Sequence, residues 1–398
     1  MQVPEAFRSP KLCFGDAKLE QRAGPRTHDA TSPPHAVDPP SKALVRPPMI
    51  DAAAEIRPDE RFDEDKLRAY LRAHAPELAG EFAVQQFRGG HANLTYLLRY
   101  ADRELVLRRP PLGPVAPKAH DMAREFRALS ALAPVYQPSP RPVLLCEDPD
   151  VIGAVFFLME RRHGIVVRAS WPDGVGDAPE VRRRMSKALV DALADLHLVD
   201  VTRPDIATLG KADGFVQRQV SGWYERWQRA KTRDIPAMDE LCTFLAERIP
   251  KPAGVSVLHN DWKLDNAMFD ADDPGKLAAV FDWDMTTLGD PLVDLGTLLS
   301  YWGQASDSTP RGTGGNVTTL PGMLTRDEIA ERYARRTGFD VGAAPFYETF
   351  GLFKTAVVLE QIYVRFVRGQ TKDDRFAALG PVVPMLADLA QQAAARLR

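Results

Sequence analysis

Cysteine is scarce in this chain, long apolar runs are missing, and neither sign of charge is in excess. Each shortage narrows the class of protein. The three cysteines, Cys13, Cys146 and Cys242, lie far apart without a CxxC partner. They support neither a disulfide framework nor a zinc site, and they fit a reduced, cytoplasmic compartment. No apolar stretch approaches the roughly 20 residues a membrane span needs, and the N-terminus lacks the apolar core of a secretory signal. A formal net charge of -3 gives no general attraction to nucleic acid or to an anionic membrane, so neither is expected as a partner. The pattern GxxxxGK[ST] occurs nowhere, which excludes a Walker A phosphate loop. His91, His120 and His163 have no metal-ligand spacing, and no internal repeat is present.

What remains is a 398-residue chain with 44% hydrophobic and 26% charged residues, the balance of a globular enzyme large enough for two lobes. Residues 1–48 stand apart, being rich in Pro, Arg, Ser and His and carrying Pro33-Pro34, Pro39-Pro40 and Pro47-Pro48 without any period. Such a segment buries too little apolar surface to offset its ordering entropy, so disorder is expected. Met49 follows directly, and native translation is expected to start there, which N-terminal sequencing would check.

Strand signals then run from Glu81 to Phe87, through a glycine turn at Arg88–Asn93, and on over Leu94–Tyr100 and Leu105–Arg109, where Pro110-Pro111 halts them. Met122, Phe126, Leu129 and Leu132 share one face of a helix expected over Ala119–Leu132. Two more strands are expected at Val143–Cys146 and Val155–Met159, so that five strands and one helix make a small antiparallel N-lobe over 49–160. The rest, 161–398, reads as mainly helical: Val181–His197, then 214–230, 238–248, 290–302, 325–337, 344–368 and 376–398. Thr325 and Glu328 have capping-box spacing. Gly303–Gly322, rich in Ser, Thr and Gly, is either a mobile lid near the substrate or a disordered insertion. The expected fold class is α+β and bilobal, with a small antiparallel β N-lobe and a larger helical C-lobe.

The chemistry-bearing stretch is Val257-Leu258-His259-Asn260-Asp261-Trp262-Lys263-Leu264-Asp265-Asn266, followed by Phe281-Asp282-Trp283-Asp284. An apolar strand leads into a loop with Asp and Asn five positions apart, and a second apolar run ends in another carboxylate. Phosphoryl transfer needs that arrangement: Asp261 orients the hydroxyl nucleophile, while Asn266 and Asp282 offer hard oxygens to Mg2+. Asp284 is a further candidate ligand, and His259 is expected to support the loop. Asp290 and Asp294 open an apolar helix and are read as structural. Trp223, Tyr224 and Trp227 fit core packing better than the wall of an acceptor pocket. Neither Asp-Phe-Gly nor Ala-Pro-Glu occurs, which argues against a protein kinase.

Residue by residue, these motifs resemble the aminoglycoside phosphotransferase and choline kinase superfamily, most closely the kinase-like domain fused to certain acyl-CoA dehydrogenases. His259-Asn260-Asp261 with Asn266 is similar to that family's catalytic loop, Asp282-Trp283-Asp284 to its metal motif, and Leu288–Gly296 to the segment that follows. The resemblance implies ATP or GTP in a cleft between lobes, a small-molecule hydroxyl acceptor, and an association with acyl-CoA metabolism. It implies an N-lobe cation at Arg108 paired with Glu125, a phosphate-covering turn at Gly89, Gly90 and Asn93, and a hinge at Met159, Glu160 and Arg161. Arginine at the cation position departs from the usual Lys; strand alternation favours Arg108 over Arg109. Asp294 looks like a support for the catalytic loop. Resistance kinases tend to have an acidic C-terminal region, whereas Arg365–Arg398 is mixed in charge, which disfavours an aminoglycoside acceptor.

Overall fold

Period-two patterning builds the first part of the molecule. Strands β1 (Ala53–Ala54), β2 (Ala83–Phe87), β3 (Leu94–Arg99), β4 (Glu104–Arg109), β5 (Pro142–Cys146) and β6 (Phe156–Glu160) form one sheet. Its order is β1-β2-β3-β4-β6-β5, and every neighbouring pair is antiparallel. The computed structural model describes residues 53–87, 93–112, 120–311, 317–370 and 374–397. The expected disordered segment, Met49, and Gly89 and Gly90 of the glycine turn lie outside the described residues.

Along β4, Leu105 and Leu107 pack with Tyr96, Leu98 and Leu158 on one face, while Val106 joins Leu97, Phe157 and Met159 on the other. The first face is covered by α1 (Glu64–His74), whose Leu67 and Leu71 are fully buried. Asp63 caps this helix by accepting the Lys66 N–H at 3.0 Å. This helix and β1 correct the expected count of five strands and one helix. The signal was an N-cap Asp with a leucine pair at i, i+4, set among charged residues that hide the apolar stripe. On the other face lies α2 (Met122–Leu132), which starts after the N-cap Asp121 and not at Ala119. The φ of 58° at His120 is incompatible with a helix there.

The remainder is helical: α3 (Pro179–His197), α4 (Pro204–Ala207), α5 (Phe215–Ala230), α6 (Pro236–Glu247), α7 (Leu292–Tyr301), α8 (Arg326–Thr337), α9 (Ala344–Val367) and α10 (Val382–Ala394). Helix α10 begins later than expected because Gly380-Pro381 breaks the run, leaving a 3-10 turn at Asp374–Leu379. Five short strands interrupt the helices: β7 (Ile165–Val166), β8 (Ser256–Leu258), β9 (Ala267–Phe269), β10 (Leu277–Val280) and β11 (Thr287–Gly289). They pair as β10-β9-β7 and β11-β8. The principal apolar core runs from Val106, Leu129 and Phe157 into Leu193, Leu258 and Phe353, so sheet and helices share it. Within the Ser/Thr/Gly-rich stretch, the segment before residue 312 is tied down: Arg326 donates two hydrogen bonds to Asp307 at 2.7 Å, and Arg311 pairs with buried Glu348.

Helices α7 and α9 approach backbone to backbone. A Cβ placed on Gly296 would lie 2.3 Å from the Tyr347 carbonyl carbon. Gly296→Ala is therefore expected to destabilise the fold by about 1–3 kcal/mol, the usual cost of overpacking. Urea unfolding checks this; an unchanged midpoint would contradict the backbone contact.

Candidate active site

The register of the β9–β10 hairpin sets the first part of the geometry. Ala267 pairs with Val280, and the Phe281 N–H donates to the Asn266 carbonyl at 2.9 Å, so Asn266 and Asp282 come off adjacent strand ends. Strand β8 delivers the loop that starts at His259. Asp294, in the first turn of α7 and fully buried, accepts the backbone N–H of His259 at 2.6 Å and of Asn260 at 2.7 Å. Its other neighbour is His197, at 3.3 Å. His259 Nε2 faces the Phe281 carbonyl at 2.7 Å, so that nitrogen carries the proton and Nδ1 accepts the Asp261 N–H at 3.3 Å. Asn260 and Asp282 both have φ of 66°, a left-handed backbone that Asn and Asp tolerate best among residues with a Cβ.

Asp261 sits at the end of this scaffold. Its Oδ2 accepts from Lys263 Nζ at 2.7 Å and from Asn266 Nδ2 at 3.0 Å. Asn266 therefore spends its N–H groups on Asp261, and its carbonyl oxygen is the atom left for a ligand. Lys263 is strengthened as a cation: burial works against its charge, but Asp261 and Tyr301 outweigh that and raise its pKa.

Asp261, Asn266 and Asp282 line a cavity of about 390 Å³ together with Asn93, Arg108, Met159, Glu160 and Arg161. Alternation along β4 turns Arg108 to the cavity, whereas Arg109 points to the opposite face and donates to the Ile152 carbonyl at 2.9 Å. The Arg108 guanidinium bridges Glu125 at 3.4 Å and Asp282 at 2.8 Å. Burial alone would raise the Asp282 carboxyl, yet the charge and hydrogen bond of Arg108 hold it below its ordinary value. Glu125 lies behind Arg108, and burial pushes its pKa up to about 7 despite that arginine. Asp284 is outside the cavity lining; burial, then repulsion from Asp282, lifts it to about 6. At the expected hinge position, the Glu160 N–H is already bonded to the Arg141 carbonyl at 2.9 Å, so it is not free for a ligand.

Reasoning from sequence missed Lys263, Arg162, Arg168, Thr95 and Phe281, which also line the cavity. For Lys263 a signal existed, two positions after Asp261 on the same loop. Arg168 lies outside every motif read in the chain. Buried Asn93 keeps its Oδ1 within 2.8 Å of His120 Nδ1, and its Nδ2 has no partner among the described residues. Trp227 is fully buried and Trp223 nearly so, whereas Tyr224 is exposed.

An antiparallel sheet with one inner helix, joined to a helical body by a cleft, is the kinase-like phosphotransferase fold. Residues 83–338 match the model of the phosphotransferase enzyme family APH. The mouse acyl-CoA dehydrogenase family member 10 is 33% identical over 88% of this chain, which spans 33% of that protein. A Ralstonia eutropha structure provisionally assigned as an aminoglycoside phosphotransferase is 31% identical, with a TM-score of 0.71 over 85% of this chain and 100% of that one. A thermostable aminoglycoside phosphotransferase mutant crystallised with AMP-PNP and hygromycin B shares the fold at a TM-score of 0.53 and 16% identity, over 82% of this chain and 98% of its own. The chain belongs to the APH phosphotransferase family. It spans less than half the length of the curated relatives it matches. Among the described residues, no helix is long and apolar enough to cross a membrane.

Proposed function

We propose that the protein is an ATP-dependent kinase that moves the γ-phosphoryl group to a hydroxyl of a small molecule, with a hydroxyacyl or hydroxyacyl-CoA compound as acceptor. One observation carries the reading: the Asp261, Asn266 and Asp282 side chains, from two separate loops, line one cavity with the sheet cation Arg108. Membership of the APH family and the nucleotide complex of the hygromycin-binding neighbour support ATP as donor, with GTP as the alternative. The acyl-CoA dehydrogenase relatives support the acyl class of acceptor.

Asn266 and Asp282 fit Mg2+. They offer one neutral and one anionic hard oxygen, and among the described residues no set of three or more His, Cys, Asp or Glu competes as a metal cage. A magnesium site that shares its ion with phosphates needs only one or two protein ligands. Bound there, the ion would neutralise charge on the phosphate oxygens. Arg108 releases part of its hold on Asp282 to grip phosphate, with Glu125 keeping the guanidinium in place. Lys263 sets a second cation beside Asp261, where charge develops on the transferred group. Asp261 aligns the acceptor hydroxyl and receives its proton late in a loose transition state, so its position matters more than its basicity. Phe87, Val106 and Met159 give the cavity an apolar end suited to the base.

Arg108→Met is expected to weaken AMP-PNP binding tenfold or more in isothermal titration, because phosphate loses its N-lobe cation. Unchanged affinity would remove Arg108 from the site. ADP release, measured over hydroxyacyl-CoAs, aminoglycosides, choline and sugars, tests the function. A magnesium-dependent thermal shift with ATP, coupled to no turnover on any acceptor, would instead make the chain a silent nucleotide-binding protein.

A further inference from the structure

Two cations, Lys354 and Arg226, take no part in the nucleotide cavity. Lys354, midway along α9, donates to the Asn260 carbonyl at 2.8 Å and lies 5.7 Å from the centre of the Trp223 ring. Arg226, one turn along α5 from Trp223, stacks on the same ring at 4.3 Å. Neither lines the cavity that contains Arg108 and Asp282, and neither makes an ion pair with a carboxylate among the described residues.

The carboxylates near them are already committed. The charges that bear on Lys354 are Asp261, Asp294, Lys263 and Arg226. Asp261 is held by Lys263 at 2.7 Å. Asp294 serves two backbone N–H groups and His197. Lys354 and Arg226 are therefore two positive charges in excess, and burial, the largest influence on Lys354, disfavours its charged form. An ammonium withdrawn from water without a counter-ion is costly, and an incoming oxyanion would offset that cost.

In-line transfer requires the acceptor hydroxyl to reach Asp261 from outside the nucleotide cavity. Lys354 meets the loop one residue before Asp261, through the Asn260 carbonyl, and the charges of Asp261 and Arg226 both bear on it. Building on the kinase reading, we infer that Lys354 and Arg226, both set over the Trp223 ring, bind an anionic group of the acceptor. The substrate is then an alcohol that also carries a carboxylate or phosphate. A polycation such as an aminoglycoside would meet like charge at this surface.

The test varies acceptor charge while keeping the reacting hydroxyl. 3-Hydroxybutyryl-CoA, free 3-hydroxybutyrate, the neutral 3-hydroxybutyryl N-acetylcysteamine thioester and kanamycin are titrated into the full chain with AMP-PNP and Mg2+. They are then assayed for ADP release with ATP. At least one anionic probe is expected to bind tenfold or more tightly than the neutral thioester. Lys354→Met and Arg226→Ala should each narrow that ratio to below threefold, chiefly through KM, while Lys354→Arg keeps it. Circular dichroism melts identify any variant that fails to fold, in which case the Arg226→Ala ratio decides. Binding of neither anionic probe, equal affinity for the neutral thioester, or preference for kanamycin would overturn the inference. A variant that lowers kcat equally for charged and neutral acceptors would also overturn it, since that is the signature of a loop support. Asp261-dependent ADP release with any acceptor upholds the kinase reading whichever way the charge comparison falls.

Discussion

Asp261→Asn is expected to lower kcat by roughly 10²–10⁴-fold, the usual contribution of a positioned proton acceptor. Nucleotide affinity should stay within about threefold of wild type, because the substitution keeps the side-chain volume and leaves the phosphate cations in place. The geometry explains the split. Asp261 lines the same cavity as Arg108 and Asp282, but the ion pair between those two does not involve it. Its carboxylate also fixes two neighbours, Lys263 at 2.7 Å and Asn266 at 3.0 Å. An asparagine retains one acceptor oxygen for one of them, so the loop survives while the proton acceptor is lost. Single-turnover ADP formation separates the two effects from product release. Turnover near the wild-type rate would remove Asp261 from the chemistry. A collapse of AMP-PNP binding would show instead that its main work is to hold Lys263 and Asn266.

The parts of the site that were legible in the sequence are those whose chemistry and local geometry coincide. His259, Asp261, Asn266 and Asp282 sit on one loop and one hairpin, so residue type and spacing carry the arrangement. Arg108 was readable because β4 alternates, and the alternation sends Arg109 to the far face, where it bonds the Ile152 carbonyl. Long helices with a clear apolar stripe, such as α3 and α8, were legible for the same local reason.

What was hidden depends on contacts between distant segments. Strands β7, β9 and β11 have two or three residues each, too few to display a period, and exist only because partners from elsewhere satisfy their backbone. Lys354 lies far along the chain from Asn260, and nothing in the composition of α9 marks it as a neighbour of the loop carrying Asp261. Helix α1 was missed although its cap and leucine pair were present, because charged residues dilute its apolar face. The late start of α10 follows from Gly380-Pro381, where breaker residues overrode an otherwise helical run.

Asp294 carries the other large expected effect, this time on the fold as well as on activity. The carboxylate is fully buried, and its oxygens hold the two backbone N–H groups that begin the loop carrying Asp261. Asp294→Ala leaves those donors and His197 without their partner inside the core, at an expected cost of about 3–5 kcal/mol. Activity should fall with it, because Asn260 immediately precedes Asp261. The loss should also depend on pH in a defined direction. Burial pushes the Asp294 carboxyl up, but the hydrogen bond and charge of His197, with His259 beside it, bring it below the ordinary carboxylate value. A depressed folded-state pKa means that this ionisation stabilises the protein fully above the unfolded value of about 3.9 and ceases to do so as pH falls through the lower folded value. The stability difference between wild type and Asp294→Ala, from urea unfolding, should thus shrink as pH falls below about 4. A difference that instead grew between about pH 4 and about pH 2 would mean that the carboxyl is protonated in the fold, and that the loop is held by something other than its charge.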